Sequence, residues 1–326
     1  MPSSITHAYF AQDVLNKVSD LSKRKICNND YLRVFAQGPD LFYFYNNLSS
    51  NNMKIRSFGG YCHKHKTQEF FVNLVSYIKD NNLSGNGDVM SFLYGYITHM
   101  ILDSVMHPFI YYKTGVFDRS NFNTYKYNGL HGEMEYYLDI YMIYQKEKKE
   151  AIKFKCYKYF SNISKFDDEL NKLIDYVFKK TYDKDNMSNY VLKGTKGLRI
   201  VFKYIRYDRF GLKKYFYKLV DFFSSKDSSR KEIMSYHVLH NKKLHYLNLD
   251  KKTWNHPCDI NRVYDLSFVE LYIIAIDKAS NLINKVNLYL NDDNANKREL
   301  YYLFKDTSYI TGMDCENGLS MQYFEF

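Results

Sequence analysis

The chain has 326 residues and a mass of 39.1 kDa, enough for one large domain or two modest ones with ample core. Hydrophobic residues at 45% and charged residues at 25% exclude a disordered chain, and no run approaches the ~20 apolar residues needed to span a bilayer. The net charge of +10 favours anionic partners, although most charge runs on helices are simply solvated faces.

Four prolines and 14 glycines leave little punctuation, and apolar residues recur at helical spacing nearly throughout, so we expect an all-α protein. In chain order the expected helices are Ala8–Ser22, Tyr31–Ala36, Asp40–Tyr45, Gln68–Lys79, Val89–Met106, Leu130–Glu147, Asp167–Lys179, Leu212–Phe223, Lys231–His240 and Phe268–Leu290. Asp88 can cap the fifth, and Ser267 with Glu270 makes a capping box for the last. Pro108 should end or kink the fifth helix just after His107, leaving that histidine at a helix mouth. Asn128-Gly129 is a turn immediately before His131, and Trp254-Asn-His-Pro257 reads as a loop.

No repeat or low-complexity linker appears. We expect a single domain, residues 1–326, with its polar chemistry concentrated in about 1–150 and a supporting helical half over about 151–326. The N-terminus, Met1-Pro-Ser-Ser-Ile-Thr-His7, lacks the basic and apolar regions of a secretory leader. The five cysteines are scattered, with no C-x-x-C. Together these features lead us to expect a cytoplasmic protein with reduced thiols.

One segment departs from ordinary core composition. His99, Asp103 and His107 recur every four residues inside the otherwise apolar stretch from Val89 to Tyr112, and His131-x3-Glu135 repeats the spacing. Residues four apart on a helix share one face, so the trio forms a stripe of nitrogen, oxygen and nitrogen donors. With ten histidines and 36 acids, roughly one His-x3-acid pair is expected by chance. The chain holds three, the third being His65/Glu69. Ionisable groups on an apolar helix must be paired or metal-bound. The blander alternative is a buried His–Asp hydrogen-bond pair. Imidazole and carboxylate together suit zinc.

Further donors precede this stretch. Gly38-Pro39-Asp40 puts a carboxylate at a helix start, where it could equally be an N-cap. Gly59-Gly60-Tyr61-Cys62-His63-Lys64-His65 offers two histidines on what reads as a glycine-led loop, and His7 sits just before the first helix.

His7, the Gly38-Pro39-Asp40 step, His63, the His99/Asp103/His107 helix and Asn128-Gly129-Leu130-His131-x3-Glu135 occur in a known order. In that order the chain resembles the bacterial zinc-dependent phospholipase C family, which shares its all-α fold with single-strand nucleases and 3′-nucleotidases. The resemblance is good over about the first 150 residues and reaches the rest only as helical bulk. It implies a metal site in a cleft between helices, with up to three zinc ions. Asp40, His63, His99 and Asp103 would hold one ion. Asp103 would bridge to a second, also held by His7, and His107, His131 and Glu135 would hold the third. An N-terminal amine, here that of Pro2 after removal of Met1, would complete the second site. The gap between Asp103 and His107 is shorter than in the secreted relatives, and His65 is an alternative to His63.

The resemblance implies phosphodiester hydrolysis on the glycerol side of a phospholipid. Three zinc ions bring six positive charges against three from Asp40, Asp103 and Glu135, leaving room for a phosphate and a hydroxide. Asp40 is the candidate catalytic residue, positioning or deprotonating the water. Alternatives are a nuclease or 3′-nucleotidase on the same metal core, and a catalytically degenerate zinc-stabilised binding protein. Lys193 to Val220 interleaves basic and aromatic residues. It could rest on anionic headgroups or track a single-stranded nucleic acid, but its plainest form is a helix pair packed through aromatics with lysines in water. The expected partner is therefore a phospholipid or other phosphodiester, with peripheral membrane contact through these helices favoured over nucleic acid.

Overall fold

A computed structural model describes residues 4–19, 26–45, 53–224, 231 and 234–325. Its first half comprises α1 (Ser4–Lys17), α2 (Asn29–Phe35), a 3-10 turn at Gly38–Asp40 leading into α3 (Leu41–Phe44), α4 (Met53–Cys62), α5 (Thr67–Asp80), α6 (Gly87–Thr114) and α7 (Leu130–Glu147). There follow α8 (Asp168–Tyr182), α9 (Met187–Val201), α10 (Lys213–Phe222), strands β1 (Trp254–His256) and β2 (Asp259–Tyr264), α11 (Phe268–Asn291) and α12 (Lys297–Leu303). The fold is all-α, and one short antiparallel hairpin is the only sheet among the described residues. No described helix is long and apolar enough to cross a membrane.

The 28-residue α6 is the central rod, apolar on nearly every side, with α1, α2, α7 and α11 packed around it. It starts two residues earlier than expected, because Asn86 and not Asp88 accepts the free N–H groups of Asp88 and Val89. Pro108 does not end it: the helix continues to Thr114 and closes at Gly115 with φ +64°. The carbonyl of Ser104, which Pro108 has no N–H to meet, faces Gly312, where an added Cβ would come within 2.3 Å of it. His107 lies within the rod and not at its mouth.

Other expectations are corrected. Gly59 and Gly60 are helical, not a loop: they end α4, which crosses close to α3, and a Cβ on Gly59 would stand 3.1 Å from the Pro39 carbonyl. Helix α9 is not among the ten expected helices, although a helix pair was the plainest form expected of Lys193 to Val220, and it begins earlier, at Met187. No α-helix forms among the described residues of the 231–240 stretch, where His240 instead bonds Glu150 (2.7 Å) and stacks on Tyr144. Trp254 belongs to a strand, buried against Phe109, with its indole N–H donating to the Leu266 carbonyl. The basic-aromatic stretch splits: α9 packs on α3, whereas α10 buries none of its residues.

Candidate metal centre

Four elements converge on α6. His99 and Asp103 lie fully inside, and the 3-10 turn brings Asp40 to them. That turn depends on Gly38, whose φ of +50° and lack of a Cβ let the backbone lie against the His99 ring; a Cβ there would meet ring atoms at 2.6 Å. Helix α4 ends at Cys62 and delivers His63, which is buried, while His65 is exposed and stacked on Tyr61. His7 is inside α1 and not before it, because the helix begins at Ser4. Its start is held by the buried Asp139 of α7, which accepts the N–H groups of Ile5 (3.2 Å) and Thr6 (2.8 Å) and the hydroxyls of Thr6 and Tyr236.

The donor atoms face one another. His99 Nε2 lies 3.1 Å and His63 Nε2 3.6 Å from Asp103 Oδ2, with His63 Nε2 3.3 Å from Asp40 Oδ1. On the other carboxylate oxygen, His7 Nε2 is 3.0 Å from Asp103 Oδ1. A turn along, His107 Nε2 and His131 Nε2 stand 3.6 and 3.0 Å from Glu135 Oε1. Two groups therefore have the make-up of metal sites, Asp40/His63/His99/Asp103 and His107/His131/Glu135, while His7 forms a pair with Asp103 between α1 and α6. The short step from Asp103 to His107 does not prevent the second grouping. The expected Pro2 ligand lies outside the described residues.

Do these residues fit a metal? Three imidazoles are oriented by backbone carbonyls: His63 Nδ1 by Gly59 (2.7 Å), His99 Nδ1 by Ala36 (3.1 Å) and His107 Nδ1 by Tyr309 (2.7 Å). With Nδ1–H donated outward, each neutral ring presents an Nε2 lone pair inward. The Nε2 atoms of His63 and His99 are only 3.4 Å apart, so two lone pairs oppose each other unless a cation or proton intervenes. His7 Nδ1, Asp40 Oδ2 and His131 Nδ1 are buried without a hydrogen-bond partner. The donor set fits a borderline-soft divalent ion.

Electrostatics agree. Burial opposes charge at Asp103, yet the histidines His107, His99 and His7 hold its carboxyl well below the carboxylate range. At His99 burial, joined by the neighbouring His7, prevails over Asp103 and lowers it. At His63 burial is outweighed by Asp103 and Asp40, raising it to about 10, and at His107 by Asp103 and Glu135, raising it to about 9. Asp103 and Glu135 thus keep their charge and favour a cation beside them, whether a proton on His63 or His107 or a metal ion in its place.

The profile of the family described as zinc dependent phospholipase C matches residues 6–184, more than half of the chain. The chain belongs to that family. No curated protein and no solved structure gives a significant match. The match spans every donor from His7 to Glu135 and stops near the end of α8.

Some contributors escaped sequence reasoning. Tyr309, far beyond the polar stretch, receives the His107 N–H on its carbonyl, donates its own N–H to the His63 carbonyl (2.8 Å), and sets its ring against His63 and His99. Nothing in its neighbourhood in the sequence signals this. Asp139 had a signal: it continues the His131, Glu135 spacing by four along an apolar helix. Tyr111 flanks the half-exposed His131, ring centroids 4.5 Å apart, and also lines a cavity of about 440 Å³ with Lys64, His65 and residues of the 308–321 segment.

Proposed function

We propose that this member of the family is a zinc-dependent phosphodiesterase of phospholipase C type, cleaving the glycerol-side phosphodiester of a phospholipid. We assign His7, Asp40, His63, His99, Asp103, His107, His131 and Glu135 as metal ligands and Asp40 also as the catalytic carboxylate. One observation supports this most: Asp103 divides its two oxygens, Oδ1 toward His7 and Oδ2 toward His99 and His63, as a bridging ligand must. Zinc bound by these residues would supply an activated water at neutral pH and neutralise phosphate charge.

The chain's own groups define the rest. The backbone carbonyls of Ala36, Gly59 and Tyr309 hold three rings in one tautomer, so the donors need no reorganisation. Water attacks phosphorus and the bond from phosphorus to the glycerol oxygen breaks. Asp40 Oδ2, buried and without a hydrogen-bond partner, would take a proton from that water, and the leaving alkoxide would take one up from solvent, giving diacylglycerol and a phosphorylated headgroup. His131 is the most exposed of these donors, so substrate would approach past it and Tyr111, from the cavity that Tyr111 also lines.

The test is elemental analysis of untagged protein beside hydrolysis of phosphatidylcholine and of 3′-nucleotides. Zinc with headgroup release supports the proposal, and phosphate release from 3′-nucleotides alone would move it to the nucleotidase class. Asp103→Asn should lose zinc and activity together. Full activity at normal zinc content in that variant would remove Asp103 from the centre.

A further inference from the structure

Helix α10 is built inside out. Its large apolar residues Leu212, Tyr215, Phe216, Leu219, Phe222 and Phe223 lie at helical spacing on one face, and all are 56% to 81% exposed. A water-soluble helix turns such a face inward. Here the polar side is the one held, by the segment of residues 204–208 just before it. Buried Asp208 accepts the N–H groups of Leu212 (3.1 Å) and Lys214 (3.3 Å), Lys213 Nζ donates to the carbonyls of Tyr204 and Tyr207, and Tyr217 donates to that of Ile205. The helix is therefore anchored with its apolar face directed outward. Exposed Tyr204 and Phe210 sit in the segment just before it.

Charge identifies the occupant. Residues 199–224 carry seven basic groups and two acids, and both acids are engaged: Asp208 as above, Asp221 accepting the Lys231 N–H at 2.6 Å. Lys203 and Arg209 are exposed, each lying over the ring of the aromatic residue that follows it. A second copy of the chain meeting this face about a two-fold axis would bring the same cations together. A bilayer surface with anionic headgroups takes both features at once, the rings and Leu219 entering the headgroup–acyl boundary and the cations pairing above it.

We propose that α10 is an interfacial element that seats the protein on an anionic phospholipid surface. The choice of lipid rests on the phospholipase proposal above, and the test separates the two. Full-length protein is floated with phosphatidylcholine vesicles, with and without phosphatidylglycerol, and hydrolysis of a soluble chromogenic phosphodiester is followed in parallel. Binding should need phosphatidylglycerol and weaken as salt rises.

The variant Phe216→Ser/Leu219→Ser/Phe222→Ser should bind on the order of tenfold less tightly, because three apolar side chains no longer enter the lipid. Its turnover of the soluble ester should match wild type. Lys203→Glu/Arg209→Glu should lose the preference for phosphatidylglycerol. Wild type that fails to float, or a triple-serine variant that floats equally well, overturns the assignment. So does a wild-type dimer, seen by sedimentation without lipid, that the triple variant converts to monomer. If wild type floats but cleaves no phosphodiester, α10 keeps its role and the phospholipase proposal falls.

Discussion

Replacing Gly38 by alanine tests the architecture of the centre without touching a ligand. A Cβ at this position would stand 2.6 Å from His99 Cδ2, whereas ordinary contact begins at 3.4 Å, so ring and turn must separate by about 0.8 Å. His99 has little room to yield, being fully buried and tied through Nδ1 to the Ala36 carbonyl at 3.1 Å. A functional constellation tolerates only about 0.5 Å of displacement, so zinc affinity should fall roughly 10- to 100-fold, as when an orienting partner of a ligand is removed. The φ of +50° adds about 1–2 kcal/mol of backbone strain, and Tm should drop by several degrees. Competition with a chromophoric chelator measures the affinity, and calorimetry the Tm. Gly85→Ala is the control, because nothing lies within 4 Å of its Cβ position and its φ is not in the left-handed range. Wild-type zinc affinity and Tm in Gly38→Ala would show that the turn does not brace His99 as described.

Three other outcomes follow from the same contacts. Asp139→Asn should destabilise by roughly 1–3 kcal/mol and weaken zinc binding, since a buried acceptor of four hydrogen bonds becomes half a donor at the start of the His7 helix; chemical denaturation and a zinc titration read the two effects. His63→Ala should abolish zinc loading while His65→Ala leaves it intact, because only the first ring reaches Asp40 and Asp103; elemental analysis of both variants decides. Glu270 is held at about 2, below its ordinary value near 4.5, chiefly by Lys251 and then by Ser267. A lowered carboxylate contributes stability that is present above 4.5 and lost as pH falls toward 2. The Tm advantage of wild type over Glu270→Gln should therefore be constant near neutrality and vanish across that acid window.

Sequence and structure agree where local physics is strong. Apolar periodicity located the helices that Ser267 and Asp167 cap, and the capping box at Ser267 and Glu270 forms as expected, whereas Asn86 takes the capping place expected of Asp88. Helix α9, absent from the helices read from spacing, carries Gly194 and Gly197. They are contact glycines, with added Cβ atoms only 2.4 and 1.9 Å from the carbonyls of Leu41 and Phe44 on α3. Gly59, read with Gly60 as a loop, is likewise helical and lies against the Pro39 carbonyl. Glycine looks identical in sequence whether it frees a turn or admits a neighbouring backbone, and only the neighbour tells which.

The donor residues themselves were legible because spacing by four on an apolar helix is a local property. His99, Asp103 and His107 had to share a face, and so did His131 and Glu135, whatever the rest of the chain did. Whether those two faces met, and which of His63 and His65 joined them, depended on helix packing, which no local rule determines. Tertiary structure alone brought Tyr309 across more than two hundred residues of chain to orient His107, set Asp139 beneath the first helix, and left the apolar side of α10 facing outward. A sequence states which groups are one turn apart. Distances between turns are decided by how the surfaces of the helices fit.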